Sequence, residues 1–239
     1  MNLDSLTIWS GALLFARTSA LLLALPMLSN LVPPMIRVFT AVILTWALLP
    51  VFPGPSEVPP DLASLLLGVL GAVGFGLLTA LSIQAVVWAF QAAGNVIDLQ
   101  IGTGSAQLLN PALGSVSAPL GQFHAILASV LVFVTDGHHL VIRGLSAIPR
   151  IDGIPGAMDV VMLTIQTATV AAVQIAAPVI SATILIDIAS ALVARAVPQA
   201  QPYFLALPAK LVVGLGIVAV GLPALAIAAK VLVTNLTIW

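Results

Sequence analysis

The sequence predicts an all-α membrane protein whose helices form bent hairpins. Three observations carry this prediction. The segment from Leu62 to Phe90 contains no charged residue, and about 20 apolar residues are enough to span the hydrocarbon core of a bilayer. Across the chain 61% of the residues are hydrophobic and 6% are charged, with a mean hydropathy of +1.20. Apolar segments both shorter and longer than one membrane crossing also alternate, which a plain up-and-down bundle does not explain.

Three helices are predicted in the first part of the chain. Thr7–Leu25 is apolar, and it is predicted to be retained as a helix because no basic segment precedes it and no small-residue cleavage site follows. A second helix is predicted over Ile36–Phe52. Pro59 and Pro60 then mark a helix start, with Asp61 as the N-cap of the long helix that begins at Leu62.

Four further apolar segments follow. The turn Thr135–His139 ends the first of them, and the turn-rich segment Pro149–Gly156 precedes the third, in which Pro178 predicts a kink. The four segments are Leu120–Val134, which is short for a span, Leu140–Ile148, Ala157–Ala196 and Phe204–Trp239.

Small residues recur at every fourth position in two of the predicted helices. Such rows let helix backbones approach closely, and in lipid this close packing drives helix association. The contacts could be internal to one chain, or they could be made with neighbouring subunits. The rows are Gly68, Ala72, Gly76 and Ala80, and Ala168, Ala172 and Ala176.

The segment Asp98–Pro119 is predicted to be non-helical because glycine and proline are frequent in it. Non-helical backbone beside apolar helices is tolerated only where it is buried in protein or lines a water-filled path. The segment is therefore predicted to form a re-entrant loop or a pore plug, and a solvent-exposed loop between helices is the alternative. The residues assigned to the plug are Gly102, Gly104, Leu108, Leu109, Asn110, Pro111 and Gly114.

Five charged residues lie within or beside the apolar segments. Residues of this kind normally face a bundle interior, a water-filled cavity or an opposite charge. Asp187 and Arg195 point about 80° apart along one helix, so each is expected to pair with another segment or subunit. The role is interpreted as structural, with a proton relay as the alternative. The five are Arg17, Asp98, Asp187, Arg195 and Lys210.

The turn Asp136-Gly137-His138-His139 raises the possibility of a metal or proton site. A metal site needs three or four convergent ligands, and the only other histidine is His124. We interpret the turn as structural. The chain has no cysteine, and no nucleophile triad, phosphate-binding loop or metalloprotease motif is present. A protein with no metal, no cofactor and no catalysis is therefore predicted, and the near-neutral charge gives no reason to expect nucleic acid.

Several local patterns, in this order, resemble the FliR family, which supplies membrane export-gate components to bacterial flagellar and type III secretion systems. They extend over residues 10–215. Ser105 stands where many members have Phe, which leaves Leu108 and Leu109 as the nearest large apolar residues. The patterns are Ala16-Arg17, Pro26–Ser29, Val32-Pro33 and Arg37; Ala93–Gly104 with Asn110-Pro111; Asp136–Leu140; Ala177-Pro178; Ala194–Gln199; and Phe204 with Leu207–Lys210.

The resemblance implies a core channel subunit in the bacterial inner membrane, at the flagellar basal body. It implies assembly with FliP- and FliQ-like subunits and other export-gate components into a helical complex through which unfolded flagellar proteins pass. It also implies a FliP-like part over residues 1–150, a FliQ-like hairpin over residues 151–239, and a plug over residues 98–119 that closes the channel.

Two alternatives stay open. The first is an injectisome export-gate component that exports virulence proteins. The second is a small secondary transporter with Asp98, Asp187 and Arg195 as its coupling site.

Overall fold

The computed structural model describes residues 4–25, 32–52, 54–55, 57–103, 118–146, 153–197 and 202–236. Within these ranges the regular elements are all α-helices, so the predicted all-α fold is confirmed. The seven helices are α1 (Ser5–Ala24), α2 (Pro34–Leu48), α3 (Leu62–Ile101), α4 (Pro119–Val134), α5 (Gly137–Ser146), α6 (Gly153–Ala196) and α7 (Pro202–Leu236).

Four of these helices, α1, α3, α6 and α7, are long and apolar enough to cross a bilayer. A fifth crossing results if α4 and α5, which are separated by Thr135 and Asp136, form one broken span. At about 1.5 Å per residue, the 40 residues of α3 are about twice as long as a hydrocarbon core is thick. The chain is a multi-pass membrane protein, and the expected mismatch between helix lengths and bilayer is confirmed.

The predicted start of α3 is also confirmed. The helix begins at Leu62, and the Asp61 carboxylate accepts hydrogen bonds from the Ser64 hydroxyl at 2.8 Å and from the Ser64 N–H at 3.2 Å. These two hydrogen bonds lower the pKa of the Asp61 carboxyl, because they favour its charged form. The cap therefore keeps its negative charge beside the positive end of the helix dipole.

Three predicted boundaries are wrong. Gly137, His138 and His139 were expected to be a turn but form the first turn of α5. Residues 98–101 were expected to be non-helical but form the last turn of α3, because the first helix-breaking residue is Gly102, whose φ of +87° ends the helix. The turn-rich segment Pro149–Gly156 was expected to precede the next helix. Its last four residues instead form the first turn of α6, a position where proline is tolerated because its missing N–H would have had no partner there.

The chain divides into two compact units. The first consists of residues 1–85, 136–165 and 233–239, and the second of residues 86–135 and 166–232. The division into a FliP-like part, residues 1–150, and a FliQ-like part, residues 151–239, follows from the resemblance alone, and it stays a prediction.

In the first unit, α3 packs against α1 through its row of small residues. The Cα of Gly76 faces the backbone of Arg17, so a Cβ there would have no room, and a Cβ on Gly68 would be in tight contact with the ring of Trp9. Ala72 is buried in the same row. This row therefore makes contacts within the chain, which is the first of the two interpretations given above.

In the second unit, α3 packs on α6 and lies close to the start of α4. Ile97 and Ile101 form a buried cluster with Ala176 and Val179. A Cβ on Gly94 would lie 2.5 Å from the carbonyl oxygen of Leu120, so the backbones of α3 and α4 are in direct contact at this point. This contact places the end of α3 beside the first turn of α4.

Gly94→Ala is expected to destabilise the protein by about 1–3 kcal/mol, because the new methyl group forces α3 and α4 apart. Gly74→Ala is the matched control, since it gives α3 the same gain in helix propensity and nothing lies within 4 Å of its new Cβ. The measurement is the aggregation temperature of the purified proteins in detergent. Equal temperatures for the two variants would contradict the close approach.

Candidate functional site around Asp98

Asp98 is the centre of the site. Its side chain is 0% exposed, and its two carboxylate oxygens bind groups on both sides of residues 104–117. Oδ1 accepts the hydroxyl hydrogen of Thr103 at 2.5 Å. Oδ2 accepts the backbone N–H groups of Leu120 at 2.8 Å and Gly121 at 3.0 Å. One buried carboxylate thus holds the chain where it leaves α3 and where it enters α4.

The start of α4 explains why a carboxylate is needed. The first N–H groups of a helix have no partner within the helix, and Ala118, at the N-cap, makes no side-chain capping bond. Pro119 occupies the first helical position and has no N–H, so Leu120 and Gly121 carry the first N–H groups that need acceptors. Asp98 accepts both, and its negative charge lies at the positive end of the helix dipole. Hydrogen bonds to an ionised acceptor are about twice as strong as neutral ones.

The end of α3 is shaped to bring Thr103 back to the same carboxylate. Gly102 has the left-handed backbone conformation that glycine adopts without steric cost. Its N–H donates to the carbonyl of Asp98 at 3.1 Å, and the Thr103 hydroxyl also lies 3.2 Å from that carbonyl. Gly102 therefore terminates the helix and sets the position of Thr103.

His124 extends the polar site by one turn of α4. It is buried, and its Nδ1–H donates to the carbonyl of Leu120 at 2.7 Å. This hydrogen bond places the proton on Nδ1 and fixes the imidazole against the same turn that Asp98 caps.

Of the residues assigned to the plug, Gly102 belongs to the described part of the chain, where it follows Ile101 at the end of α3. The plug itself stays a prediction, whose two flanks the structure describes. The assigned plug residues that lie outside the described residues are Gly104, Leu108, Leu109, Asn110, Pro111 and Gly114.

The structure brings two of the predicted intramembrane charges together. Asp187 on α6 and Lys210 on α7 form an ion pair with an N···O distance of 2.5 Å, in which Lys210 is 19% exposed and Asp187 is 51% exposed. Arg195 is exposed in the last turn of α6. Asp98 and Asp187, which the transporter alternative would use together, thus have different partners.

Arg17 lies buried in the first unit, between two aromatic rings. Its guanidinium carbon is 5.0 Å from the ring centre of Phe52 and 4.8 Å from that of Phe75. Its Nη1 also donates to the carbonyl of Leu145 at 3.3 Å, in the last turn of α5. Aromatic faces and the negative end of a helix both attract a cation, so these contacts stabilise the positive charge.

The junction of α4 and α5 brings together Asp136, which precedes α5, and His138 and His139, in the first turn of α5. Each offers one donor atom within 4.8 Å of the others. Gly137 is buried at the first position of α5. This convergence was missed from sequence, because whether three adjacent side chains point the same way depends on the backbone of the turn. Asp136 has the unusual φ of +60°.

Sequence analysis also missed Thr103, His124 and the partners of Arg17. A signal for the Asp98 contacts was present, because the pair Ala118-Pro119 starts a helix without a capping side chain. Such a start requires an acceptor from elsewhere in the chain.

Comparisons with known proteins give matches over most of the chain. The family model of bacterial export proteins, family 1, matches residues 8–236. The flagellar biosynthetic protein FliR of Caulobacter vibrioides is 29% identical over 228 residues, which cover 92% of this chain and 90% of the relative. FliR of Bacillus subtilis is 28% identical over 84% of this chain and 81% of its own. The Yop proteins translocation protein T of Yersinia pestis is 27% identical over 83% of this chain and 80% of its own.

Asp98→Ala is expected to release the first turn of α4, because the N–H groups of Leu120 and Gly121 lose their acceptor. A buried donor left without a partner costs about 1–3 kcal/mol. The measurement is amide hydrogen exchange of residues 118–124 in detergent, which should become faster. Thr103→Val is the matched comparison, since it removes the contacts of the hydroxyl to Oδ1 and to the Asp98 carbonyl and keeps the acceptor Oδ2. It should leave the exchange of Leu120 and Gly121 nearly unchanged. Unchanged exchange in Asp98→Ala would contradict the capping role.

Proposed function

Because the chain belongs to the bacterial export proteins, family 1, we propose that it is a channel subunit of the flagellar type III protein export apparatus in the bacterial inner membrane. The family match over residues 8–236 is the observation that carries this proposal. It also confirms the resemblance to the FliR family inferred from the motifs, and relatives from two distant bacteria are named as flagellar proteins.

The surface of the helices supports an assembly with other membrane subunits. Large apolar side chains are exposed along α2, including Met35, Phe39, Ile43 and Trp46. In a membrane such faces are covered by lipid or by other helices. We propose that FliP- and FliQ-like subunits cover part of them, at the basal body, and that the chain itself performs no catalysis.

The Asp98 site supports a role for residues 102–119 in closing the channel. One buried carboxylate binds the residues that flank this segment, Thr103 on one side and Leu120 on the other. Glycine at Gly102, Gly104 and Gly114 allows conformations that other residues adopt at a cost. Leu108 and Leu109 would supply the apolar seal. Unfolded flagellar proteins would pass once this segment moves aside.

An injectisome component is the second candidate. The observation in its favour is the Yersinia pestis relative, which is 27% identical over nearly the same share of this chain as the Bacillus subtilis FliR. The two candidates are distinguished by complementation: the gene restores motility to a strain lacking FliR in the first case, and effector secretion to an injectisome mutant in the second.

Co-purification tests the assembly. The chain, expressed with the two candidate partner genes and extracted in mild detergent, is expected to elute as one complex with two small helical membrane proteins. Lys230, which is exposed on α7, is a suitable site for conservative replacement by Arg as a control that leaves the complex intact. Elution of the chain alone, as a stable monomer, would contradict the proposal.

Shortening the plug tests the channel-closing role separately. Removal of residues 106–113 keeps Asp98, Thr103 and Leu120, so the helices are expected to assemble as before. The shortened complex is expected to conduct ions, because the closing segment no longer fills the channel. Conductance of planar bilayers containing the complex is the measurement. Bilayers that do not conduct ions, although the complex assembles normally, would contradict this role and leave the subunit assignment in place.

A further inference from the structure

Three side chains at the junction of α4 and α5 are of the kind that bind metal ions, and the export function proposed above does not use them. Asp136, His138 and His139 each offer one donor atom, and these atoms lie within 4.8 Å of one another. We propose that this junction binds one divalent transition-metal ion, with Zn²⁺ as the best match.

The distances fit a small tetrahedral ion. Zinc binds imidazole nitrogen and carboxylate oxygen at about 2.0–2.2 Å, so two ligand atoms on a tetrahedral zinc lie about 3.3 Å apart. The Oδ1 atom of Asp136 and the Nδ1 atom of His139 are 3.1 Å apart, which is already the spacing of two such ligands. The ion would replace the hydrogen that these two atoms share. The third donor atom, on His138, lies within 4.8 Å of the other two.

The backbone of the turn fixes the three side chains relative to one another. The carbonyl of Asp136 accepts the N–H groups of His139 at 3.0 Å and Leu140 at 3.3 Å, which starts α5 at this residue. The φ of Asp136 is +60°, an uncommon conformation for a residue other than glycine. The rings of His138 and His139 lie 4.1 Å apart between their centres. The backbone therefore brings the three side chains near one another before any ion arrives.

The donor set selects the class of ion. Two neutral imidazoles and one carboxylate suit Zn²⁺, and the chain has no thiolate that would favour a softer ion. The carboxylate also offsets the positive end of the α5 dipole, which would otherwise repel a cation. The side chains of Asp136 and His139 are 75% and 59% exposed, so an ion can reach them. The site would tie the first turn of α5 to the residue that precedes it.

The test uses Co²⁺ as a spectroscopic substitute for Zn²⁺. The full chain is purified in detergent without a polyhistidine tag and titrated with Co²⁺ alone. One equivalent is expected to give the visible absorption of a four- or five-coordinate complex, and Zn²⁺ is expected to displace it. Asp136→Asn and His139→Ala should each weaken binding at least tenfold, since even outer-shell partners of a metal contribute about 10- to 100-fold. Asp159→Asn, which removes an exposed carboxylate on α6, should change nothing.

A replacement that keeps a ligand separates metal binding from folding. His139→Cys supplies a thiolate where the chain has none, so it should still bind Co²⁺ and should add a sulfur-to-cobalt charge-transfer band. The elution volume in detergent shows whether each variant is folded. Absence of a stoichiometric cobalt complex in the folded native chain, or equal cobalt binding by Asp136→Asn and His139→Ala, would overturn the proposal. So would a folded His139→Cys variant without the charge-transfer band.

Discussion

A helix that starts among apolar neighbours must find acceptors for its first N–H groups, and this requirement organises the centre of the second unit. Water cannot satisfy such groups in a membrane, and Pro119 begins α4 without a capping side chain before it. Asp98 meets the requirement from α3. The close contact between Gly94 and the backbone of Leu120 follows from it, since the carboxylate reaches the N–H groups only if the two helices nearly touch.

Three of the charged groups among the described residues are stabilised in different ways. Asp98 binds N–H and hydroxyl groups, Arg17 binds aromatic faces and a carbonyl at a helix end, and Lys210 pairs with Asp187. Each arrangement joins segments that are distant along the chain or lie on different helices. These three charged groups connect helices, and this agrees with a structural role for them.

Helix content was predictable because it depends on local patterns. The start of α3 at Leu62 followed from Asp61 and the two prolines before it, and both signals are local in sequence. The end of α3 was predicted one turn too early, because the non-helical segment indicated by the glycines and prolines from Gly102 onwards was started at Asp98. The residues of that last turn instead pack in the core, as Ile101 does. The contacts of Asp98 with Leu120 and Gly121 were not predicted, since they join residues more than 20 positions apart and depend on how two helices cross. The uncapped helix start at Ala118-Pro119 indicates only that an acceptor is needed.

The two-sided attachment at Asp98 separates the geometry of the helices from the length of chain between them. The positions of Thr103 and Leu120 are set by one carboxylate, so residues inserted or lost between them leave the crossing of α3 and α4 where it was. Natural variation in this protein can therefore accumulate as added or missing residues between the two attachment points. Asp98 itself does not share this freedom. A change to glutamate, whose side chain is one methylene longer, would disturb the hydrogen bonds at both attachment points.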